Sequence, residues 1–411
     1  MSKNKFIYKT LLPKKENYIF PLSNDNLNKE DLTAAIKVLK SRRITMGDKT
    51  KLFESNFAKK LNAKYALMVN SGSSANLLAT FASCNPLRKN RFTYRDQALI
   101  QSLCWPTSLW PLVQAGLKIK FVDIDSKTLN VKAEEIIKKV TKKTKVILII
   151  NVLGLSTDIE KIRNFCNKKK IILIEDNCEA LGATYNKKYL GTYGDFSTFS
   201  FFYTHQITSG EGGMITCKNK SDYEILKSLR SHGWSRDKKI ADKYPNLDPR
   251  YIFINSGFNL RPTDIQAAIG LSQFKRLEHF KKIRTMNRKK IIQNLLEHPD
   301  WNNQFTFIKV PKKISPSYMV LPIMISPIYA KKKIKFINYI ESAGLQTRPI
   351  ISGNFINQPS SKLYKLNYNN KKFPEAEKVQ KLGFVIGLPA KKIDKKSLNF
   401  ITKTLLSINF L

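Results

Sequence analysis

The chain has 411 residues, of which 42% are hydrophobic and 11% aromatic, so it can bury a large core and is predicted to form two domains. Its 72 basic and 31 acidic residues give a formal net charge of +41, but the lysines lie in scattered short runs without interleaved aromatic residues, which disfavours nucleic-acid binding. No segment approaches the about 20 apolar residues of a membrane helix, and residues 1–15 do not resemble a signal peptide, so we expect no membrane insertion.

Five cysteines occur without the paired spacings that indicate disulfides or metal sites. Four of them lie within or beside apolar runs, where a reduced and buried thiol is expected. We therefore predict a reducing, cytoplasmic location and no bound metal. The cysteines are Cys84, Cys104, Cys166, Cys178 and Cys217.

Two helices are predicted ahead of the first strand, over residues 29–41 with Asn28 as the cap and over residues 49–61 with Asn62 as the break. Short apolar runs then alternate with helical stretches, as in a parallel sheet covered on both faces, and this predicts an α/β domain. The predicted strands are 65–69, 98–103, 119–122, 146–152 and 171–174. The predicted helices between them are 74–84, 107–115, 133–140 and 159–168.

Two long helices, over residues 262–277 and 283–297, are predicted to carry the chain out of this sheet. Beyond them, short strands such as 319–325 alternate with helices such as 334–343, which indicates a smaller α+β domain. We therefore predict an N-terminal arm and helix over residues 1–45, a large domain over 46–285 and a small domain over 286–411.

Polar and acidic motifs follow three of the predicted strands, at the edge where ligands bind in open α/β sheets. Residues 70–76, NSGSSAN, place hydroxyl groups at a helix N-terminus and suit a phosphate group, although a simple serine cap gives the same pattern. Trp105 can stack on a planar ring or lie in the core. Residues 175–182, EDNCEALG, put two acids at a strand end, where a carboxylate can pair with a pyridine nitrogen or with a surface lysine.

A histidine stands in the fourth motif. His205 lies five residues after Ser200 and just before the GEGG turn at 210–213. A lysine in such a frame would form a Schiff base with pyridoxal phosphate, whereas an imidazole moves protons without holding the cofactor covalently. The substitution therefore favours elimination over amino transfer.

Several of these motifs together resemble a known family. NSGSSANLL, EDNCEALGATY, GDFSTFSFF, GEGGMI and GFNLRPTDIQAAIGLSQ at 257–273 are similar to the DegT/DnrJ/EryC1/StrS sugar aminotransferases, from about Asn26 to the C-terminus. The histidine after Ser-Phe-Phe, RSHGWSRD at 230–237, TRPIISGNFINQP at 347–359 and GFVIGLP at 383–389 resemble its 3-dehydratase branch. The resemblance implies the type I pyridoxal-phosphate-dependent transferase fold, that of aspartate aminotransferase.

The resemblance also implies roles for individual residues. His205 would be the catalytic base, and an amino acid, glutamate, would regenerate pyridoxamine phosphate in a homodimer with shared active sites. The substrate would be a nucleotide-linked 4-keto-6-deoxy hexose used in deoxysugar and lipopolysaccharide O-antigen biosynthesis. Implied cofactor-binding residues are Ser73, Ser74, Trp105, Asp176, Glu179, Ser200 and, from the partner subunit, Asn259. Implied substrate-binding residues are His232, Arg348 and Asn354.

One feature departs from part of that branch, and three other functions stay open. Members that act on CDP-linked sugars hold a two-iron two-sulfur cluster through four cysteines after the segment matching 230–237, but no cysteine follows Cys217 here, so we expect no iron–sulfur cluster. A true aminotransferase would need another amine, and Lys187 and Lys188 are the nearest upstream. A non-catalytic cofactor-binding homologue and a nucleic-acid-binding protein are the remaining alternatives.

Overall fold

The computed structural model describes residues 18–23, 27–366 and 372–411, so most of the predicted N-terminal arm lies outside the described residues. The helices are α1 (Lys29–Lys40), α2 (Asp48–Leu61), α3 (Gly72–Ser83), α4 (Pro106–Gln114), α5 (Ala133–Lys138), α6 (Ile159–Lys169), α7 (Lys220–Arg230), α8 (Lys238–Ala241), α9 (Asp264–Lys275), α10 (Leu277–Leu296), α11 (Lys333–Ser342), α12 (Pro359–Leu363), α13 (Pro374–Leu382) and α14 (Lys395–Leu406). The strands are β1 (Tyr65–Val69), β2 (Gln97–Gln101), β3 (Lys118–Val122), β4 (Thr144–Ile150), β5 (Ile172–Asp176), β6 (Thr184–Tyr185), β7 (Lys188–Tyr189), β8 (Phe196–Ser200), β9 (Gly213–Cys217), β10 (Trp234–Ser235), β11 (Ile252–Phe253), β12 (Phe305–Phe307), β13 (Ile314–Ser315), β14 (Val320–Ile325), β15 (Thr347–Arg348) and β16 (Gly383–Gly387).

The central sheet has seven strands in the order β1-β9-β8-β5-β4-β2-β3. Strand β9 runs antiparallel to both of its neighbours, and the other six strands are parallel to one another. The prediction of a mostly parallel sheet in an α/β fold is therefore confirmed. The β8–β9 hairpin adds one antiparallel strand inside the sheet.

Local signals explain how the predicted helices begin and end. Asn28 accepts a hydrogen bond from Asp31, whose carboxylate bonds back to the Asn28 backbone, so α1 begins with a capping box as its cap predicted. Asn62 ends α2 in the left-handed conformation at φ 55°. The prediction that the second long helix starts at residue 283 was wrong. Helix α10 starts at Leu277, and Arg276 alone separates it from α9.

The C-terminal part of the chain contains a four-stranded antiparallel sheet in the order β12-β14-β16-β15. Its buried face packs with α10, α11 and α14 in a hydrophobic cluster of its own, which also takes in Phe20. Strand β13 pairs instead with β6, the strand that follows β5 of the large sheet along the chain. The domain boundaries at residues 45 and 285 stay a prediction.

The cysteines are all unpaired, as expected for a reduced protein. Cys104, Cys166 and Cys217 are buried, and Cys84 and Cys178 are half-buried. None of the helices over the described ranges is both long enough and apolar enough to cross a bilayer.

Candidate active site

The carboxyl ends of the parallel strands bring the predicted motifs to one edge of the sheet. Strand β1 leads into residues 70–76, β2 into Trp105, β5 ends at Asp176 and β8 ends at Ser200. Strands β5 and β8 are direct neighbours, with Asp176 in register with Thr198, so Ser200 lies two residues further along β8 at the same edge. The site predicted at this edge is therefore assembled from four separate parts of the chain.

The first turn of α3 contributes hydroxyl groups and a helix N-terminus. Ser71 caps the helix by accepting from the backbone nitrogen of Ser74 at 3.1 Å, while Ser73 is exposed with its hydroxyl 3.1 Å from that of Thr107. A Cβ on Gly72 would lie 2.5 Å from the Cβ of Ser200, so only glycine allows α3 to approach β8 this closely. Ser73 and Ser74 thus lie in the first turn of α3, where a helix N-terminus favours an anion, and Ser200 lies beside that turn. Their contact with a phosphate stays a prediction.

Asp176 is a buried carboxylate with a defined set of donors. Its Oδ2 accepts from Asn76 Nδ2 at 2.8 Å and from Ser108 Oγ at 2.7 Å, and its Oδ1 accepts from the backbone nitrogen of Cys178 at 3.0 Å. The Thr198 hydroxyl donates to the side-chain oxygen Oδ1 of Asn76 at 2.6 Å, and this bond orients the Asn76 side chain so that its Nδ2 faces Asp176. Because each carboxylate oxygen can accept two hydrogen bonds, Oδ1 retains capacity for one more donor.

Glu179 lies on the turn that follows β5. Its Oε2 accepts from the backbone nitrogen of Leu153 at 3.1 Å. Burial raises the pKa of Glu179 to about 8, and the charge of Asp176 acts in the same direction, while the Leu153 N–H opposes them. At neutral pH this side chain is mainly a neutral carboxylic acid, which can donate a hydrogen bond.

His205 lies in the turn between β8 and β9, and its backbone nitrogen donates to the Phe202 carbonyl at 3.0 Å. The side chain is half-buried, and its Nδ1 is shielded from solvent without a hydrogen-bond partner in the described structure. Burial lowers the pKa of His205 to about 4; the Ser200 backbone and Asp176 raise it in part, and Arg284 lowers it further. The imidazole is therefore neutral at pH 7.

Two aromatic side chains beside these groups are exposed. Trp105, at the N-terminus of α4, is 56% exposed, and Phe202 is 43% exposed. The Phe202 ring packs edge-on against His205, with 5.8 Å between ring centroids. Exposed aromatic rings at the mouth of a polar site suit a planar ligand or a second protein surface. Trp105 is therefore not the core residue that was the alternative reading of its motif.

A second group of predicted residues lies on an exposed segment after α7. His232 adopts φ 64°, and its Nε2 lies 3.5 Å from Arg261 Nη2. Asn259 is exposed, and its side-chain oxygen accepts from Arg261 Nε at 3.0 Å. The backbone of Leu260 accepts from Asn70, so this exposed group adjoins the end of β1.

The remaining predicted residues come from the C-terminal part of the chain. Arg348 is exposed on β15, and its Nη1 donates to the Thr347 carbonyl at 2.7 Å. Asn354 is buried, and its side chain bonds to the Ile356 backbone and to Glu377. Both polar ends of Asn354 are thus occupied within the chain, and its role as a substrate contact stays a prediction.

Four residues of this arrangement had no predicted role. Asn76 lies in the motif at 70–76, and Ser108 lies in the helix predicted over 107–115. The closeness of each residue to the end of a predicted strand was the signal that could have indicated it. Arg284 donates to the backbone carbonyl of Gln206, the residue after His205, across 78 residues, and no local pattern indicates such a contact.

The family model described as the DegT/DnrJ/EryC1/StrS aminotransferase family matches residues 25–398. The chain belongs to this family. Family membership agrees with the resemblance inferred from the motifs.

Among its relatives is a GDP-4-keto-6-deoxy-D-mannose 3-dehydratase from Escherichia coli O55:H7, which is 34% identical over 90% of this chain and 95% of the relative. A solved E. coli structure of that enzyme with bound hydrated PLP superposes with a TM-score of 0.84 at 32% identity and covers 95% of this chain and all of that one. A second solved dehydratase, with a trapped PLP-glutamate geminal diamine, has a TM-score of 0.83 at 32% identity over 94% of this chain and 100% of that one. The fold of this chain is therefore that of these PLP enzymes.

Proposed function

We propose that the protein is a PLP- and PMP-dependent 3-dehydratase. It removes the C3 hydroxyl of a nucleotide-linked 4-keto-6-deoxy hexose in deoxysugar and lipopolysaccharide O-antigen biosynthesis. The observation that carries the proposal is the position of His205 in the turn after β8, at the sheet edge where the neighbouring parallel strand β5 ends at Asp176. The named activity of the similar dehydratases and their bound PLP support it.

The residues at the sheet edge fit this cofactor. The phosphate suits the hydroxyl groups of Ser73, Ser74 and Ser200 at the α3 N-terminus, and Trp105 suits the ring face. Asp176 has one acceptor position left for a pyridine N–H, and Glu179 can donate toward the ring hydroxyl. When bound, the cofactor supplies a positively charged ring that withdraws electrons from the bonds being broken.

The proton transfers fall to His205. As a neutral base it accepts a proton from the carbon at the cofactor's C4′ position, and as an imidazolium it donates to the departing C3 hydroxyl oxygen. Burial lowers the pKa of His205, which makes its imidazolium more acidic than usual and favours the second transfer. Because an imidazole forms no Schiff base, the cofactor is held by non-covalent contacts alone and is expected to exchange readily.

The proposed partners are glutamate, a nucleotide sugar with GDP as the first candidate nucleotide, and a second copy of the chain. Relatives with a trapped glutamate adduct and with GDP-sugar activity support the first two. The dimer is supported by exposed apolar residues on α1 at a spacing that places them on one helix face, Leu32, Ile36 and Leu39. Asn259 would then reach the cofactor phosphate of the partner subunit. His232, Arg348 and Asn354 are the proposed substrate contacts, and a cytoplasmic location is proposed with them.

A sugar aminotransferase is the competing function within the family. It would need an amine in place of His205, and the nearest upstream amines belong to Lys187 and Lys188. Both are exposed on the β6–β7 hairpin, where the Lys188 ammonium group lies 4.4 Å from the centre of the Tyr193 ring. These positions give neither lysine a contact with the His205 turn.

The deciding experiment replaces the base. We expect His205→Asn to lower the dehydration rate about 1000-fold or more, because asparagine cannot accept a proton. Pyridoxal phosphate binding, followed by its absorbance, should be retained. His279→Asn, on the exposed side of α10, is the matched control and should keep full activity.

Product analysis separates the two functions. A dehydratase supplied with a GDP-linked 4-keto-6-deoxy sugar, pyridoxal phosphate and glutamate releases ammonia and a 3-deoxy keto sugar. An aminotransferase leaves nitrogen on the sugar, as mass spectrometry would show. Full turnover by His205→Asn, or cofactor trapped on a side chain by borohydride, would contradict the proposal.

A further inference from the structure

The turn that carries His205 is anchored by the residue that follows it. Gln206 is buried, and its side-chain nitrogen donates to the backbone carbonyl oxygens of Glu179 at 2.5 Å and Ser317 at 3.0 Å. The first carbonyl belongs to the turn after β5, and the second to the segment between β13 and β14. Gln206 therefore connects the His205 turn to both predicted domains.

A buried arginine supplies a second anchor. Arg284 on α10 donates from Nη1 to the Gln206 backbone carbonyl at 2.8 Å and from Nε to the Leu388 carbonyl at 3.1 Å. Burial lowers the pKa of Arg284 to about 10, and within the described part of the chain no carboxylate forms an ion pair with it. Since an unpaired buried cation is destabilising, this placement calls for a functional explanation.

The charges around His205 come from three elements. Asp176 on β5 favours the protonated imidazole, and Arg284 on α10 opposes it. Glu179, on the turn after β5, faces the same region through Gln206 and is mainly neutral at pH 7. Burial is the main reason that His205 stays neutral, and Arg284 adds to that effect.

We propose that Arg284 is a positioning residue for the base, which holds the His205 turn through the Gln206 carbonyl and places a positive charge beside the imidazole. The guanidinium holds its donors in a rigid planar fork, a geometry that the compact ammonium group of a lysine does not reproduce. The positive charge also makes the protonated imidazole a better acid toward the leaving hydroxyl. The kinetic part of this inference rests on the proposed function.

The test compares two arginines of α10. Arg284→Gln removes the charge and one of the two donors, and Arg288→Gln is the control, because Arg288 donates to the Ile308 carbonyl at 3.2 Å and not to the His205 turn. We expect Arg284→Gln to lower kcat about 100-fold, the cost of a base displaced by about 1 Å, with the substrate KM changed little. The acid limb of its kcat/KM profile should move to higher pH. Arg288→Gln should show neither change.

A second measurement does not depend on the reaction. NMR titration of His205 in histidine-labelled full-length protein, with and without pyridoxal phosphate, follows the imidazole directly. We expect its titration to move to higher pH in Arg284→Gln and to stay at the wild-type pH in Arg288→Gln. A protein that shows this shift but no dehydration would reject the proposed function and keep the electrostatic role of Arg284.

Arg284→Lys guards against misfolding of the glutamine variant. This variant keeps the positive charge but loses the planar donor geometry of the guanidinium. We therefore expect wild-type titration of His205 together with a lower kcat. Wild-type kcat in Arg284→Lys would overturn the positioning role. Identical His205 titration in wild type and Arg284→Gln would overturn the electrostatic role, and equal effects in Arg288→Gln would overturn both.

Discussion

Consecutive acids at the end of β5 have different surroundings because successive side chains of a strand point to opposite faces of the sheet. Glu175 is fully buried and accepts from the backbone nitrogens of Gly191, Tyr193 and Gly194 and from the Ser197 hydroxyl. Such a carboxylate organises the turn before β8. The adjacent acid, one residue further, faces the cofactor edge.

The motif alone indicated that an acid at this strand end carries function, and the family resemblance implied that it is Asp176. The fold adds the physical difference between the two acids. The donors to Glu175 come from residues 191–197, the turn before β8 and the start of that strand, which lies next to β5. The side-chain donors to Asp176 come from α3 and α4. Long-range pairing of this kind leaves no periodic signal in the chain.

Glu179 gives a stability prediction at the residue scale. Its pKa in the folded protein, about 8, lies above the ordinary value for glutamate, so the folded state holds the proton more tightly and loses stability as pH rises through about 8. We expect Glu179→Gln, which mimics the neutral acid, to remove this loss. In cofactor-free protein its Tm should exceed that of wild type more at pH 9 than at pH 5.

The difference in Tm between wild type and Glu179→Gln reports on the carboxyl group of Glu179 alone. Burial lowers the pKa of Lys333 to about 8, which affects stability in the opposite direction, but the effect is common to both proteins and cancels in the difference. Glu211→Gln, at an exposed turn position, should keep the wild-type pH dependence of Tm. An equal Tm difference at pH 5 and pH 9 would rule out the raised pKa of Glu179.

At the scale of elements, helix starts with local caps were predictable and junctions without them were not. The capping box at Asn28 and the left-handed Asn62 lie within one turn of the helices that they bound. The junction at Arg276 has no glycine or proline, and the boundary assigned there was wrong for that reason. The β8–β9 hairpin was likewise not predicted as strands, because its long connection lacks the signature of a tight turn.

The contact between α3 and β8 is the element-scale prediction. Gly72→Ala places a methyl group 2.5 Å from the Ser200 Cβ, which must move the α3 N-terminus away from β8. We expect a stability loss of about 1–3 kcal/mol and a weaker affinity for pyridoxal phosphate, by about tenfold or more. Calorimetry of folding and a cofactor titration measure the two effects.

A second glycine provides a control with the same steric conflict. A Cβ on Gly270, in α9, would lie 2.5 Å from the Phe53 ring. Gly270→Ala should therefore lose comparable stability while binding the cofactor as wild type does. Equal cofactor affinities in the two variants would show that the α3–β8 contact does not shape the phosphate site.

At the scale of the whole molecule, the exposed positions of Trp105, Phe202 and Asn259 suit a site completed by a second subunit. The net charge of +41 disfavours self-association at low salt but attracts anionic nucleotide sugars. In the proposed dimer, burial of the apolar face of α1, which is exposed in the single chain, would offset that repulsion.

Shared active sites predict complementation between two inactive variants. His205→Asn disables its own site, and Asn259→Ala is expected to disable the site of its partner. A hybrid dimer then contains one intact site, so random mixing of subunits should restore about a quarter of wild-type activity. Turnover of co-expressed, differently tagged variants measures this, with each variant alone as the control. No recovery in purified hybrids would place both residues in one subunit's site.

The hydrogen bonds that hold the His205 turn also tie it to distant parts of the chain. Gln206 bonds to the carbonyl oxygens of Glu179 in the predicted large domain and of Ser317 in the predicted small domain, and Arg284 adds a bond to Leu388. A movement of one predicted domain relative to the other would therefore displace the imidazole of His205. A compound that binds between the two predicted domains and separates them would inhibit the enzyme without competing with pyridoxal phosphate or the sugar substrate.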